Sequence, residues 1–367
     1  MLSRNTYIEI NIKNYIENLK KTEEITGTRV IPVIKCNAYG CGAIEIAKAS
    51  EEVGIDFMAV AFLEEAEKLR ENGIKSKILI FNALFPEFLE KVVDKNYIIT
   101  IYSIEQIKKY IELKKEAANK IKYHININTG MNNLGVNVDE LEKLIKIIKE
   151  NLLEIEGIYT HFSSADSDME NTKKQYELLK SAEKILKKAG VEFKYKHAAN
   201  SAAALSYGKE YCMDYVRIGM ALYGIQPSIL KKAEWIKNVI TWKSSVSNIR
   251  IIKAGETLNY GKNFKALKEM KIAVVPVGYG DGYKMGMSNG GYVFIKNRKC
   301  YIKGVVCMDQ ITVEIPNDLE VNIEDEVIIL GGNGENRISV EEAAGIARTI
   351  PDDIICSISK EIPRVYI

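Results

Sequence analysis

Between residues 29 and 217 the chain repeats one unit: a short apolar run, a charged amphipathic stretch, then another apolar run. The runs lie at 30–34, 57–61, 78–81, 97–101, 123–127, 155–161, 193–197 and 215–218. They read as parallel strands buried on both faces. The stretches between them, such as 172–188, place apolar residues at helical spacing. A parallel strand needs a long crossover to return to the same edge, and a helix supplies it. Eight strands let the last close on the first, so an α/β fold with a (β/α)8 TIM-type barrel is expected rather than an open doubly wound sheet.

After about residue 235 the texture changes. Segments 239–252, 271–277, 291–295, 301–315 and 326–330 are β-branched and separated by Gly, Asn and Asp turn signals, with one helical insert near 340–348. The division expected is a barrel over 1–234 and a mostly-β domain over 235–367. An opening strand at 7–12 precedes the first barrel helix and is a candidate for pairing with the β domain.

Charge narrows the list of partners. Lys plus Arg total 51 against 49 Asp plus Glu, a net charge of +2, which gives no electrostatic reason to expect nucleic acid or an anionic membrane. The six cysteines form no C-x-x-C pair and have no His at zinc spacing, so they read as reduced packing residues and no metal is expected. The N-terminal segment lacks an apolar h-region and no apolar run reaches membrane-spanning length, from which a cytoplasmic location is expected.

A barrel builds its active site at the C-terminal ends of its strands, and reading those ends in turn gives a consistent set. The first apolar run ends in Lys35, ahead of Cys36-Asn37-Ala38-Tyr39-Gly40. A lysine there is costly to bury unpaired, and desolvation suits it to Schiff-base chemistry. Later runs end in His161, in Asn200-Ser201 and in Arg217-Ile218-Gly219. A Ser opening a helical stretch and a Gly turn after the last strand can cradle a phosphate. In the β domain, Asn259-Tyr260-Gly261 and Gly278-Tyr279-Gly280-Asp281-Gly282 put tyrosines into turns whose glycines favour close approach to a ligand or another backbone.

Taken together, these residues make a recognisable series. Val33 to Gly40, Thr129-Gly130-Met131, His161 to Asp166, Asn200 to Ala203, Arg217 to Gly224, Tyr260-Gly261-Lys262, Gly278 to Tyr283 and Cys307-Met308-Asp309-Gln310 occur in this order along nearly the whole chain. The chain resembles the alanine racemases, fold-type III enzymes that use pyridoxal 5'-phosphate. The resemblance implies that Lys35 carries the cofactor and is one catalytic base. It implies that Tyr260 is the second base, delivered from the partner subunit of a head-to-tail homodimer with shared sites. Tyr39, Asn200, Ser201, Gly219 and Met220 fall on the phosphate site, and Arg217 faces the pyridine nitrogen with His161 supporting it. Met308, Asp309 and Tyr279 fall on the substrate site and its entrance. The substrate implied is a small amino acid, alanine first.

Three positions depart from the family pattern. Asn126 and Asn133 replace a lysine, often carbamylated, and the arginine it orients toward the substrate carboxylate. Lys360 stands where the family usually has a tyrosine beside the phosphate, and it is expected to restore a cation near the site. These departures leave open a racemase of another amino acid such as serine, or one of broad specificity. Two further readings are a fold-type III decarboxylase and a cofactor carrier without turnover. The decarboxylases lack the Tyr260 turn and the 307–310 run, and the single-barrel carriers lack the β domain.

Overall fold

The computed structural model describes residues 4–228 and 232–367. In chain order the strands are β1 (Tyr7–Ile10), β2 (Arg29–Pro32), β3 (Phe57–Val60), β4 (Lys77–Ile80), β5 (Tyr97–Ile101), β6 (Lys122–Asn126), β7 (Glu154–Tyr159), β8 (Tyr195–His197) and β9 (Tyr215–Ile218). Strands β2 to β9 form one eight-stranded sheet, parallel throughout, in which β2 pairs with β9. A parallel bridge between Val33 and Ala59 joins β2 to β3 at the other edge, closing the barrel. Helices such as Met169–Lys188 return the chain from one strand to the next.

Alternate strand residues point inward, as the two-residue period requires. Ile31, Phe57, Ala59, Leu79, Ile98 and Tyr215 fill the lower barrel as a small apolar cluster. Above them the interior turns polar: Thr100, His124, His197 and Arg217 are all buried. A buried polar layer is costly unless each group finds a partner, and these partners define the site described below.

The second domain contains β10 (Ile240–Ser245), β11 (Asn248–Ile252), β12 (Thr257–Leu258), β13 (Phe264–Lys265), β14 (Met270–Val275), β15 (Tyr292–Ile295), β16 (Arg298–Tyr301), β17 (Ile311–Ile315), β18 (Glu326–Leu330) and β19 (Arg364–Tyr366). They build a six-stranded sheet, β16-β15-β18-β10-β1-β19, and a three-stranded one, β11-β14-β17. Strand β1 lies inside the larger sheet, antiparallel to β10 and parallel to β19. The chain thus begins in the β domain, crosses to make the barrel, and returns.

Two apolar segments that read as continuous are divided. The 239–252 run breaks at Val246-Ser247 into β10 and β11. In 301–315, Gly304 at φ +79° and a turn in which the Cys307 N–H donates to Gln310 O (3.0 Å) leave 302–310 as a loop. A second helix, Pro351–Cys356, follows the expected insert, which spans Val340–Ala347. Among the described residues no helix is long and apolar enough to cross a membrane.

Candidate active site

The barrel mouth opens into a cavity of about 580 Å³, within the range of small-molecule and cofactor sites. Its wall includes Lys35, Tyr39, Asn126, Asn133, His161, Asn200, Ser201, Arg217, Gly219 and Met220. Residues separated by up to 185 positions are thus brought to one place by strand ends alone.

Lys35 and Tyr39 reach this cavity by an unusual route. Cys36, Asn37, Ala38 and Tyr39 have φ of 54°, 55°, 53° and 52°, a turn of left-handed helix made of non-glycine residues. Each such residue costs about 1–2 kcal/mol, so the surroundings must hold the turn. The Cys36 N–H donates to Glu65 Oε1 (2.5 Å), and the other oxygen of Glu65 accepts from Ala61 N–H (2.8 Å). Asn37 Oδ1 accepts from Ala43 N–H (3.1 Å), and Arg364 Nε donates to Gly40 O (3.0 Å). Strain of this kind persists only where the surrounding structure over-determines it. Here it puts a lysine and a phenol four residues apart into one cavity.

The phenol end is built for an anion. Tyr39 stacks on Tyr223 at 4.7 Å, and the Tyr223 hydroxyl donates to Val33 O (2.8 Å). A Cβ at Gly219 would lie 2.4 Å from the Tyr39 hydroxyl oxygen, so only glycine leaves this hydroxyl room. Ser201 Oγ accepts the Gly219 N–H (3.1 Å), and Asn200 caps the helix Ser201–Ser206 by accepting Ala203 N–H (3.0 Å). Two hydroxyls therefore converge beside Gly219. Burial pushes the Tyr39 phenol up, so it stays a proton donor.

Arg217 forms the opposite wall. Its Nη1 donates to His197 Nδ1 (2.8 Å) and His197 O (3.0 Å). Its Nη2 donates to Thr160 O (2.7 Å), Ala198 O (2.9 Å) and His161 Nδ1 (3.3 Å). None of these contacts uses Nε, which is left for the cavity. Burial lowers the guanidinium to about 10, so it remains charged at neutral pH. Enclosure by the cavity wall, then Arg217 and Lys35, push His161 down and favour its neutral ring, although the residue is exposed to the cavity.

The remaining predicted residues do not line this cavity. Tyr260, Met308 and Tyr279 are 78%, 61% and 43% exposed on the β domain. Their three loops are tied into one surface. Asn259 Nδ2 donates to Val305 O (3.0 Å) and Thr312 Oγ1 (3.0 Å), fastening the Tyr260 turn to the 305–312 segment. Tyr279 N–H donates to Cys307 O (2.9 Å) and Gly280 N–H to Met308 O (2.8 Å). Gly278 makes that approach possible, because a Cβ there would lie 2.3 Å from Cys307 O.

Lys360 also stands apart from the cavity. It is exposed and does not line the cavity; its neighbour Ser359 donates its N–H to Asp281 O (2.9 Å) on the β domain. The C-terminal segment that enters the wall is Ile350-Pro351-Asp352. Burial raises the Asp352 carboxyl, and Lys35 partly offsets this. The signal for this helix was present in the sequence: Pro351 at the first helical position followed by Asp352 and Asp353.

The alanine racemase N-terminal domain family matches residues 10–227 and the alanine racemase C-terminal domain family matches 239–366. The alanine racemase of Carboxydothermus hydrogenoformans is 38% identical over 368 residues, covering 99% of this chain and all of that one. The structure of alanine racemase from Bacillus anthracis with bound L-Ala-P superposes with a TM-score of 0.93 at 31% identity, covering 100% of this chain and 96% of that one. Alanine racemase from Bartonella henselae with covalently bound pyridoxal phosphate gives a TM-score of 0.89 at 28% identity, covering 99% of each chain. With both domains matched in order and the cavity assembled from the motifs that prompted the resemblance, the chain belongs to the alanine racemase family.

Proposed function

We propose that this protein interconverts L- and D-alanine with pyridoxal 5'-phosphate, in a site that a second copy of the chain completes. One observation carries the reading. Lys35 faces a cavity already furnished for an anion and a ring, while Tyr260 stands exposed on a separate, pre-assembled surface.

The residues present fit the cofactor. Tyr39 and Ser201 hydroxyls would hold its phosphate beside Gly219, where a Cβ would collide with the phenol. Arg217 would meet its ring nitrogen through Nε, and a permanently charged donor keeps that nitrogen unprotonated. When bound, the cofactor supplies an electron sink that acidifies the substrate α-proton.

Inversion of a stereocentre needs proton transfer on opposite faces. Lys35 Nζ holds or delivers the proton on one face, and the partner's phenol at position 260 does so on the other. The substrate carboxylate meets amides where the family has an arginine. Asn133 Oδ1 accepts Leu134 N–H (2.7 Å), which leaves its NH2 as a neutral donor. The free cysteines fit a reducing cytoplasm.

Subunit mixing tests the shared site. Lys35→Ala and Tyr260→Phe chains, each inactive alone, should recover about a quarter of wild-type activity after random exchange, because half the dimers then hold one intact site of two. No recovery after exchange is confirmed would refute the shared site.

A further inference from the structure

The chain contains three histidines in 367 residues, and all three gather round Arg217. His161 and His197 accept from its guanidinium, as described above. The third, His124, is fully buried and lies one step further down the barrel axis, with Nδ1 2.9 Å from His197 Nε2. Its own Nε2 points at Glu156 Oε2, 3.6 Å away. Neither of those two atoms has a hydrogen-bond partner among the described residues, which leaves each the nearest polar match for the other. Glu156 Oε1 pairs with Lys77 Nζ at 2.8 Å, and Lys77, the first residue of β4, reaches solvent at the barrel floor.

The local backbone is arranged to put this carboxylate inside. In the β6–β7 ladder Tyr123 faces Ile155 and His124 faces Gly157, so Glu156 is the extra residue of a β-bulge. A bulge shifts the inward-outward alternation and re-aims a side chain. Gly157 then makes room for the ring, since a Cβ there would lie 2.7 Å from His124 Nε2 and Cε1.

The direction of the chain follows from donor chemistry. A guanidinium cannot accept a hydrogen bond. His197 Nδ1 must therefore be unprotonated, and its single proton lies on Nε2. That proton is donated to His124 Nδ1, which puts the His124 proton on Nε2, aimed at the carboxylate. Each ring's tautomer is set by its neighbour.

We propose that Glu156, held by Lys77, is a positioning residue for Arg217, acting through His124 and His197 to hold both rings, in the tautomers Arg217 dictates, and so the orientation of the guanidinium at the cavity. Glu156 touches neither substrate nor cofactor; it terminates a polarised chain of N–H donors with a charged acceptor. Burial keeps both imidazoles neutral. Burial alone would raise Glu156, but the neighbouring His124 ring and the Lys77 ammonium prevail and hold it at about 2.

The inference deepens the racemase reading, and the test separates the two. Nitrogen-15 labelling of histidine in the full-length protein gives three rings, assignable by single substitutions. The expected spectrum shows all three unprotonated at Nδ1 and protonated at Nε2, a readout that needs no substrate. In Glu156→Gln the charged acceptor is lost, so the His124 Nε2 signal should shift and the His197 signals should follow it to a smaller extent. The kcat for alanine should fall roughly 2- to 30-fold, the usual range for a residue coupled through a packed network, with KM within twofold. Should Lys77 left unpaired destabilise that variant, Glu156→Gln with Lys77→Met removes both charges and should show the same shifts. A wild-type His124 protonated at Nδ1 overturns the proposal. So does a stably folded Glu156→Gln protein with unmoved His124 and His197 signals, or with kcat within twofold of wild type. A wild-type protein that fails to turn over alanine would refute the racemase reading alone, since the tautomers are read independently.

Discussion

Gly219→Ala isolates the anion cradle from the rest of the site. The glycine has a negative φ, −113°. It is required by space: the new Cβ would lie 2.4 Å from the Tyr39 hydroxyl oxygen and 2.8 Å from Cζ, against ordinary contact at 3.4–4 Å. The ring must therefore retreat by about 1 Å. Its stacking on Tyr223 and its place in the left-handed turn leave little slack. Overpacking of this kind costs about 1–3 kcal/mol of stability. If the ring yields instead, the phosphate loses a hydrogen bond to a charged group worth about 1.5–3 kcal/mol, roughly ten- to hundredfold in Kd. Absorbance titration of the apoprotein with pyridoxal phosphate reads the affinity, and urea denaturation reads the stability. In a Tyr39→Leu background, which removes the colliding atoms, the same glycine substitution should change Kd by less than about twofold. The steric reasoning fails if Gly219→Ala alone binds the cofactor within twofold of wild type at unchanged stability.

Other perturbations rest on the same geometry. Lys35→Ala should abolish both racemisation and the visible absorbance of covalently held cofactor; a borohydride-reducible adduct at another lysine would count against Lys35. Glu65→Ala removes the acceptor for Cys36 and Ala61 N–H, and should lower stability by about 1–3 kcal/mol in urea titrations while loosening cofactor retention. Asp352→Asn removes a carboxylate from the cavity wall and should tighten cofactor binding by about 1 kcal/mol, roughly fivefold; weaker binding would show that the acid helps hold the site. His124 and His197 are fully buried with folded-state values pushed below 6.5, so the stability they confer is present above that pH and lost as pH falls. Below about pH 6 the urea midpoint should decline, with each neutral ring contributing up to about 1.4 kcal/mol per pH unit; a midpoint equal at pH 5 and 7 would show that these rings titrate normally.

The barrel and its cavity could be read from the sequence because both rest on local signals. Apolar runs mark strands, and the polar residues just past each run mark a strand end, so Lys35, His161, Ser201 and Arg217 fall together once the barrel closes. Tyr260 is legible as a turn residue and Met308 only through the family resemblance, but their joining into one patch depends on Asn259 bonding across to Val305 and Thr312, a contact no local pattern encodes. Lys360 was read by register from a short C-terminal motif, whereas Asp352 enters the wall through a six-residue helix that motif reading passed over. Glu156 was hidden for a different reason. In an unbroken strand its side chain would alternate to the outside, and only the bulge in the ladder with β6 turns it inward.

The central claim is that two bases on different chains serve opposite faces of one substrate, and proton exchange in deuterated water tests it most directly. Wild-type protein should convert L-alanine to an equal mixture of enantiomers, both carrying deuterium at Cα. Tyr260→Phe should retain exchange at Cα of one enantiomer, through Lys35, while forming almost none of the other. Equal exchange of both enantiomers by Tyr260→Phe, or undiminished racemisation, would contradict the two-base account.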